Sequence, residues 1–281
     1  MRGDTSNLKR RARPWLGTIV EIGVPPEREG AIEAGFAEIA RIHRLMSFHE
    51  GTSDLAKLRA ASAGELIEVD RDTIVVLRIA ANLHRATNGL FSIAIGRQLV
   101  RTHFLLRMDT IHLNRFGGDA DDIKIVDDCY VRLRRRTLID LGGIAKGYAV
   151  DCAVKALQAA GTTSGIVNAG GDLRVFGDTV MPVQVRLAQG GYSPAFELLN
   201  CAVASSENSR TRHIIGGKIV TPHVGRDGQS VVADQTVTVT AHNCVIADAM
   251  TKVAMVDADL ADRLLAAHGG KVVRFAMNEA A

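Results

Sequence analysis

The sequence predicts an α+β fold, and three observations carry that expectation. Helical and strand-like periodicities both occur along the 281 residues, yet they do not alternate as regular βαβ units. Hydrophobic residues make up 47% of the chain, enough for a sizeable core. No linker, internal repeat or low-complexity segment divides it. Residues 1–14 are therefore expected to form a polar, flexible N-terminus, and residues 15–277 a single domain of mixed sheets with packed helices.

The elements follow in order. Trp15 to Val24 reads as a strand ended by Pro25-Pro26. Over residues 28–47, Ile32, Phe36, Ile39, Ile42 and Leu45 fall on one helical face. Ser53 can cap a short helix through Leu58. Glu65 to Val69 is a short strand. Asp70 or Asp72 then starts a helix carrying Ile74, Leu77, Ala81 and Leu83, closed near Asn88-Gly89. Leu90 to Gly96 is apolar without a clear period, residues 107–122 read as loop, and residues 123–140 supply two or three strands. A helix runs from about Lys146 to Ala160, with Gly161 as its stop. Ile166–Asn168, Leu173–Phe176, Val183–Leu187 and Val237–Thr240 read as strands. Asn243 can cap a helix over Cys244–Val256, and a helix over about Asp259–His268 precedes a last strand, Val272–Phe275.

Composition excludes several classes. Aromatic content of 4% argues against a base-stacking surface, and a net charge of +3 is too weak for a nucleic-acid partner. Two basic runs occur, Lys9–Arg13 and Arg132–Arg136; in the second, Val131 and Leu133 alternate with Arg132 and Arg134, as on a solvated strand edge. Cys129, Cys152, Cys201 and Cys244 are far apart, so reduced thiols are expected rather than a metal cluster or disulfides. No apolar run reaches the ~18 residues of a membrane span. The start of the chain lacks the apolar segment of a secretory signal, which makes a cytoplasmic location the expectation.

Three constellations carry chemistry. The first is Ile139–Asp151, a strand, the Gly142-Gly143 turn, and a helix opening with Lys146. Backbone N–H groups, a helix N-terminus and an ammonium together suit a phosphate or diphosphate, although such a turn alone is often only a connection. The spacing is neither a P-loop nor a dinucleotide fingerprint. The second is Asn168-Ala169-Gly170-Gly171-Asp172, either a plain hairpin turn or a cleft lining. The third is the apolar helix around Asp248 and Lys252. Its carboxylate needs a partner, either the lysine four residues on or a hard cation. His213 and His223 are candidates for acid–base chemistry.

In this order and spacing the pieces resemble the ApbE family, the FAD:protein FMN transferases, from about residue 15 to residue 257. The matching segments are Leu16-Gly17-Thr18, Met46-Ser47, Ser53-Asp54-Leu55, Gly89–Ser92, Asp140–Asp151, Val167–Asp172, Ala204–Ser206 and Ala247–Ala249. The resemblance implies a T-fold-like domain with a central flavin cleft. It implies an enzyme that binds FAD and Mg²⁺, moves FMN onto a threonine hydroxyl of a target flavoprotein, and releases AMP. By the same resemblance Met46, Ser47, Gly142, Gly143, Lys146, Asp151, Asn168, Gly170, Gly171 and Ser205 would border FAD. Ala145, Asp248 and Thr251 would hold the metal.

The chain departs from the family pattern at three places. Lys252 stands where a metal-binding threonine is usual, so its ammonium could take the cation's place. Lys218 stands where a histidine is expected, which leaves His213 and His223 as displaced candidates. Ser92 replaces a usual aspartate. Two alternatives stay open beside the transferase: a flavin-binding protein without catalysis, and a FAD pyrophosphatase in which water replaces the threonine.

Overall fold

The chain begins with a hairpin. β1 (Lys9–Trp15) and β2 (Thr18–Val24) pair antiparallel in full register across Leu16 and Gly17, both with positive φ. That is the two-residue turn whose twist matches paired strands. The computed structural model describes residues 8–108, 111–178, 180–226 and 228–273. The flexible N-terminus expected to residue 14 is thus corrected from Lys9 onward. Arg10 pairs with Glu21, and Arg11 and Arg13 with Glu33, so the basic run is a charged edge strand with its own counter-charges.

The helix α1 (Ile32–Met46) follows, then α2 (Asp54–Ala60), capped by Ser53 Oγ on Ala56 N at 3.0 Å. β3 (Leu66–Glu68) leads to α3 (Arg71–Ala86), capped by Asp70, and the apolar stretch Leu90–Ile95 is irregular and leads into α4 (Gly96–Arg101). Residues 123–140 give only two strands, β4 (Ile123–Ile125) and β5 (Tyr130–Leu133). β5 is the middle strand of the order β3-β5-β4, so the second arginine run starts inside a sheet rather than on an edge. Val131 and Leu133 are buried while Arg132 faces out, as alternation requires.

The second half supplies α5 (Ala145–Ala159), β6 (Gly165–Ala169), β7 (Asp172–Phe176), β8 (Val180–Val183), β9 (Phe196–Leu199) and β10 (Ala202–Ser206). β11 (His213–Ile215), β12 (Lys218–Val220), β13 (Val237–Ala241), α6 (Cys244–Ala254), α7 (Ala258–Leu265) and β14 (Lys271–Val273) complete it. The expected strand Val183–Leu187 is instead β8, ending at Val183, followed by one isolated bridge from Arg186 to Tyr192. Phe275, placed at the end of the last strand, lies outside the described residues.

The main sheet is antiparallel at each pairing, in the order β1-β2-β6-β7-β10-β13-β14. Its two faces have different covers, and the period of two assigns each side chain to one of them. Val20, Ile22, Val167, Phe176, Ala202, Ala204, Val237 and Val239 face α1, α5 and α6 in the main core. Ile166, Leu173, Val175 and Val203 face the β8–β9 hairpin with Met181, Val183 and Leu198. Each fully buried aliphatic side chain contributes about 1.5–3 kcal/mol.

This parity also positions polar groups. Asp172 and Arg174 share the register of Phe176, and Ser206 that of Ala204, so all three turn toward the helices. Asn168 and Ser205 share the register of Ile166 and Val203, on the other face.

Candidate active site

A buried charge cluster forms where β7, α5 and α6 meet. Lys146, in the first turn of α5, places Nζ 2.8 Å from Asp172 Oδ2 and 3.4 Å from Asp248 Oδ2. Its third contact is the Gly142 carbonyl, 3.3 Å away. Asp248, fully buried on α6, also accepts Gly147 N at 3.1 Å. Its other oxygen, Oδ1, lies 2.5 Å from Lys252 Nζ. Two ammonium groups thus face two carboxylates, a formal balance that buried charges require.

Burial works against the charged forms of Lys146, Asp172 and Asp248, and the pairings overcome it at Lys146 and Asp248. Lys146 is raised above its ordinary value because Asp172 and Asp248 outweigh desolvation. Asp248 is lowered, since Lys146 and Lys252 overcome the cost of burial. Asp172 is raised by burial and by the neighbouring Asp248 charge. Asp140, whose Oδ2 accepts Gly142 N at 3.1 Å, is raised to about 6 by burial.

The glycines in the first motif serve close approach. A Cβ on Gly147 would sit 2.3 Å from Cys244 O, so this glycine lets α5 and α6 cross. A Cβ on Gly143 would meet Lys252 Cε at 3.4 Å, which places the lysine stem across the turn. In the second motif, Gly170 and Gly171 both have positive φ and form the two-residue turn between β6 and β7. Gly171 N donates to Asn168 Oδ1 at 2.8 Å.

One cavity is lined by a member of the cluster, and a second is linked to it through Ser206. The first, of about 40 Å³, is lined by Ser92, Asp140, Gly143, His223 and Lys252. The other, about 380 Å³, is lined by Asn168, Gly170, Gly171, Tyr192, Ser205 and Ser206. A bond path joins them: Ser206 Oγ meets Thr251 Oγ1 at 2.7 Å, and Lys252 Nζ donates to Thr251 Oγ1 at 3.0 Å. Only the larger cavity falls in the range of small-molecule pockets, about 300–1,000 Å³.

The histidines separate. His223 lines the small cavity, on a loop held by Thr221 Oγ1 donating to Val231 O at 2.7 Å. Its Nδ1 is buried without a hydrogen-bond partner. Burial, then the charges of Lys252 and Lys146, push its pKa down to about 4, so the ring is neutral at neutral pH. His213 stands exposed on β11, stacked on Phe104 at 4.6 Å, and lines neither cavity.

Other expected residues are placed elsewhere. Asp151 is occupied structurally: it pairs with Arg174 at 2.7 Å and accepts Cys244 N and Val245 N at 3.0 and 2.9 Å. It caps α6 from a neighbouring helix, and Asn243, the expected cap, makes no side-chain capping bond. Met46 belongs to the main core, and Ser47 shapes the turn before α2 by accepting from Ser53 Oγ at its carbonyl. Asp140 and Asp172 were not singled out from sequence. Their signal was an acid flanking each Gly-Gly pair.

A divalent cation does not fit the implied donors. Lys252 Nζ lies 2.5 Å from Asp248 Oδ1 and 3.0 Å from both Asp248 O and Thr251 Oγ1. Mg²⁺ needs about six oxygen ligands at 2.0–2.1 Å, and an ammonium on the same oxygens repels it. Among the described residues no group of three His, Cys, Asp or Glu side chains could hold a metal, and no helix is long and apolar enough to cross a membrane.

Comparisons with known proteins agree on kinship. Residues 16–273 match the ApbE family. A FAD:protein FMN transferase of Rhodobacter capsulatus is 30% identical over 178 residues, 58% of this chain. The match spans about a third (34%) of that relative's length. A FAD:protein FMN transferase of Vibrio cholerae is 23% identical over 78% of this chain and 70% of its own. The ApbE protein of Thermotoga maritima superposes with a TM-score of 0.82 at 24% identity, covering 95% of this chain and 97% of its own. The flavinyl transferase ApbE of Pseudomonas stutzeri gives 0.78 at 18% identity, covering 92% and 88%. The chain belongs to the ApbE family.

Proposed function

We propose that this chain is a FAD:protein FMN transferase that moves FMN from FAD to a threonine hydroxyl of a target flavoprotein and releases AMP. One observation carries the reading: a buried Lys146–Asp172–Asp248–Lys252 cluster stands beside the Gly142-Gly143 turn and the small cavity, and Thr251 and Ser206 link it to the larger one. The 380 Å³ cavity has room for one nucleoside arm of FAD. At the turn Gly142 N is held by Asp140 Oδ2, which leaves the Gly143 N–H to meet the diphosphate.

The chemistry is a phosphoryl displacement. The threonine oxygen bonds to the FMN phosphorus, the phosphorus–oxygen bond to AMP breaks, and AMP leaves with the electron pair. The hydroxyl proton needs an acceptor. His223, which lines the small cavity, is neutral and has an unpartnered Nδ1, is our candidate for it, whereas His213 lies apart. Asp248 acts through the two lysines, holding their charges beside the turn. Because the donor set does not suit Mg²⁺, no step passes through a metal.

The formally balanced charge favours a second reading, a flavin-binding protein without transfer, because a neutral cluster stabilises a developing phosphate charge weakly. Incubation with FAD and a flavoprotein domain, followed by in-gel flavin fluorescence, separates the two. A fluorescent target band supports transfer. Bound FAD with no labelled band refutes it.

A further inference from the structure

The strongest unexplained feature is the seat of Lys252. An ammonium has three donors, and Asp248 Oδ1, Asp248 O and Thr251 Oγ1 provide three acceptors within 3.0 Å. Gly143 leaves room for the stem, and Asp248 is fully buried. The pair is spaced four residues apart on α6, with the acid on the N-terminal side, the favourable order. Thr251 is itself anchored by Ser206 and by donating to Asp248 O at 2.7 Å. The lysine is therefore seated in a built site, not draped over a surface.

We propose that Lys252 is the resident cation of this cleft: it occupies the Asp248–Thr251 position permanently, so that a flavin dinucleotide is taken up without any divalent metal. The flavin part of this statement rests on the proposed function. The metal part stands on the geometry alone. A monovalent group fixed by the chain has two consequences. Chelators cannot remove it, and metal ions at ordinary concentrations cannot enter beside it.

The test begins with the metal alone. Mn²⁺ is titrated into the wild-type protein and followed by electron paramagnetic resonance. The expected result is no saturable site. Lys252→Thr restores a hydroxyl in place of the ammonium, and one saturable Mn²⁺ site is expected to appear. FAD binding is then measured by calorimetry with EDTA or with Mg²⁺. The wild-type affinity should change by less than about twofold, while the variant's should rise by about tenfold with metal.

A wild-type Mn²⁺ site that Asp248→Asn abolishes would overturn the proposal. So would a loss of wild-type FAD binding in EDTA that Mg²⁺ restores. Both are wild-type measurements, so the proposal stays exposed even if Lys252→Thr does not fold. Absence of FAD uptake under every condition would sink the flavin reading, while the Mn²⁺ titration still judges the lysine.

Discussion

Asp151→Ala tests whether a residue inside the most family-like motif serves the fold rather than the ligand. Its carboxylate, buried at 5% exposure, holds Arg174 at 2.7 Å and two N–H groups of the first turn of α6. Removal leaves a largely buried guanidinium without its counter-charge, which costs about 3–5 kcal/mol. Losing the cap of α6 is worth about 0.5–2 kcal/mol, partly the same energy counted from the other side. The expected total is roughly 3–5 kcal/mol. For a domain of this size each kcal/mol lowers Tm by about 2–4 °C, so a fall of roughly 6–20 °C follows. Asp151→Asn keeps an acceptor and should lose about half as much. Thermal melts followed by circular dichroism read the effect, with FAD affinity measured below the transition. An unchanged Tm with lost FAD affinity would refute the capping account and return Asp151 to the ligand.

Three further outcomes are expected. Gly147→Ala forces a methyl against Cys244 O at the α5–α6 crossing and should destabilise by about 1–3 kcal/mol or more in urea unfolding; a neutral result would contradict the tight crossing. Asp140 keeps its proton to about 6 in the fold, while the unfolded chain ionises near 3.8. Its contribution therefore falls as pH rises from about 4 to 6, by about 3 kcal/mol, and Asp140→Asn should gain that much on the wild type across the same window. His223 should titrate near 4 by ring NMR, because burial and two lysines disfavour its cation. The native state then takes up this proton later than the unfolded chain, so stability is lost between about pH 6.5 and 4. His223→Ala should cut transfer by about 10²–10⁴ with FAD binding retained. Equal loss of both would point to a structural role.

Much of the fold was legible because its elements carry local signals. The 3.6 period of Ile32, Phe36, Ile39 and Ile42 and the cap at Ser53 act within a few residues. β1 was not legible: its arginines look like a tail, and their counter-charges, Glu21, Glu29 and Glu33, come from later elements. The cap of α6 was missed for the same reason, since the acceptor sits on α5 rather than at Asn243. At the site, the sequence pointed to the Gly-Gly turns and to the Asp248–Lys252 pair. It did not show that Lys146 joins Asp172 to Asp248, because that contact depends on the facing of β7 against α5. Nor could spacing rank the two histidines. Burial and lysine charge decide between them, and both are tertiary properties.

Mass spectrometry of a flavoprotein domain, after incubation with this chain and FAD in EDTA, tests the central claim most directly. The account predicts one FMN on a threonine of the target and one AMP released for each label. FAD bound but left whole, with the target unlabelled both in EDTA and with Mg²⁺ added, would contradict it.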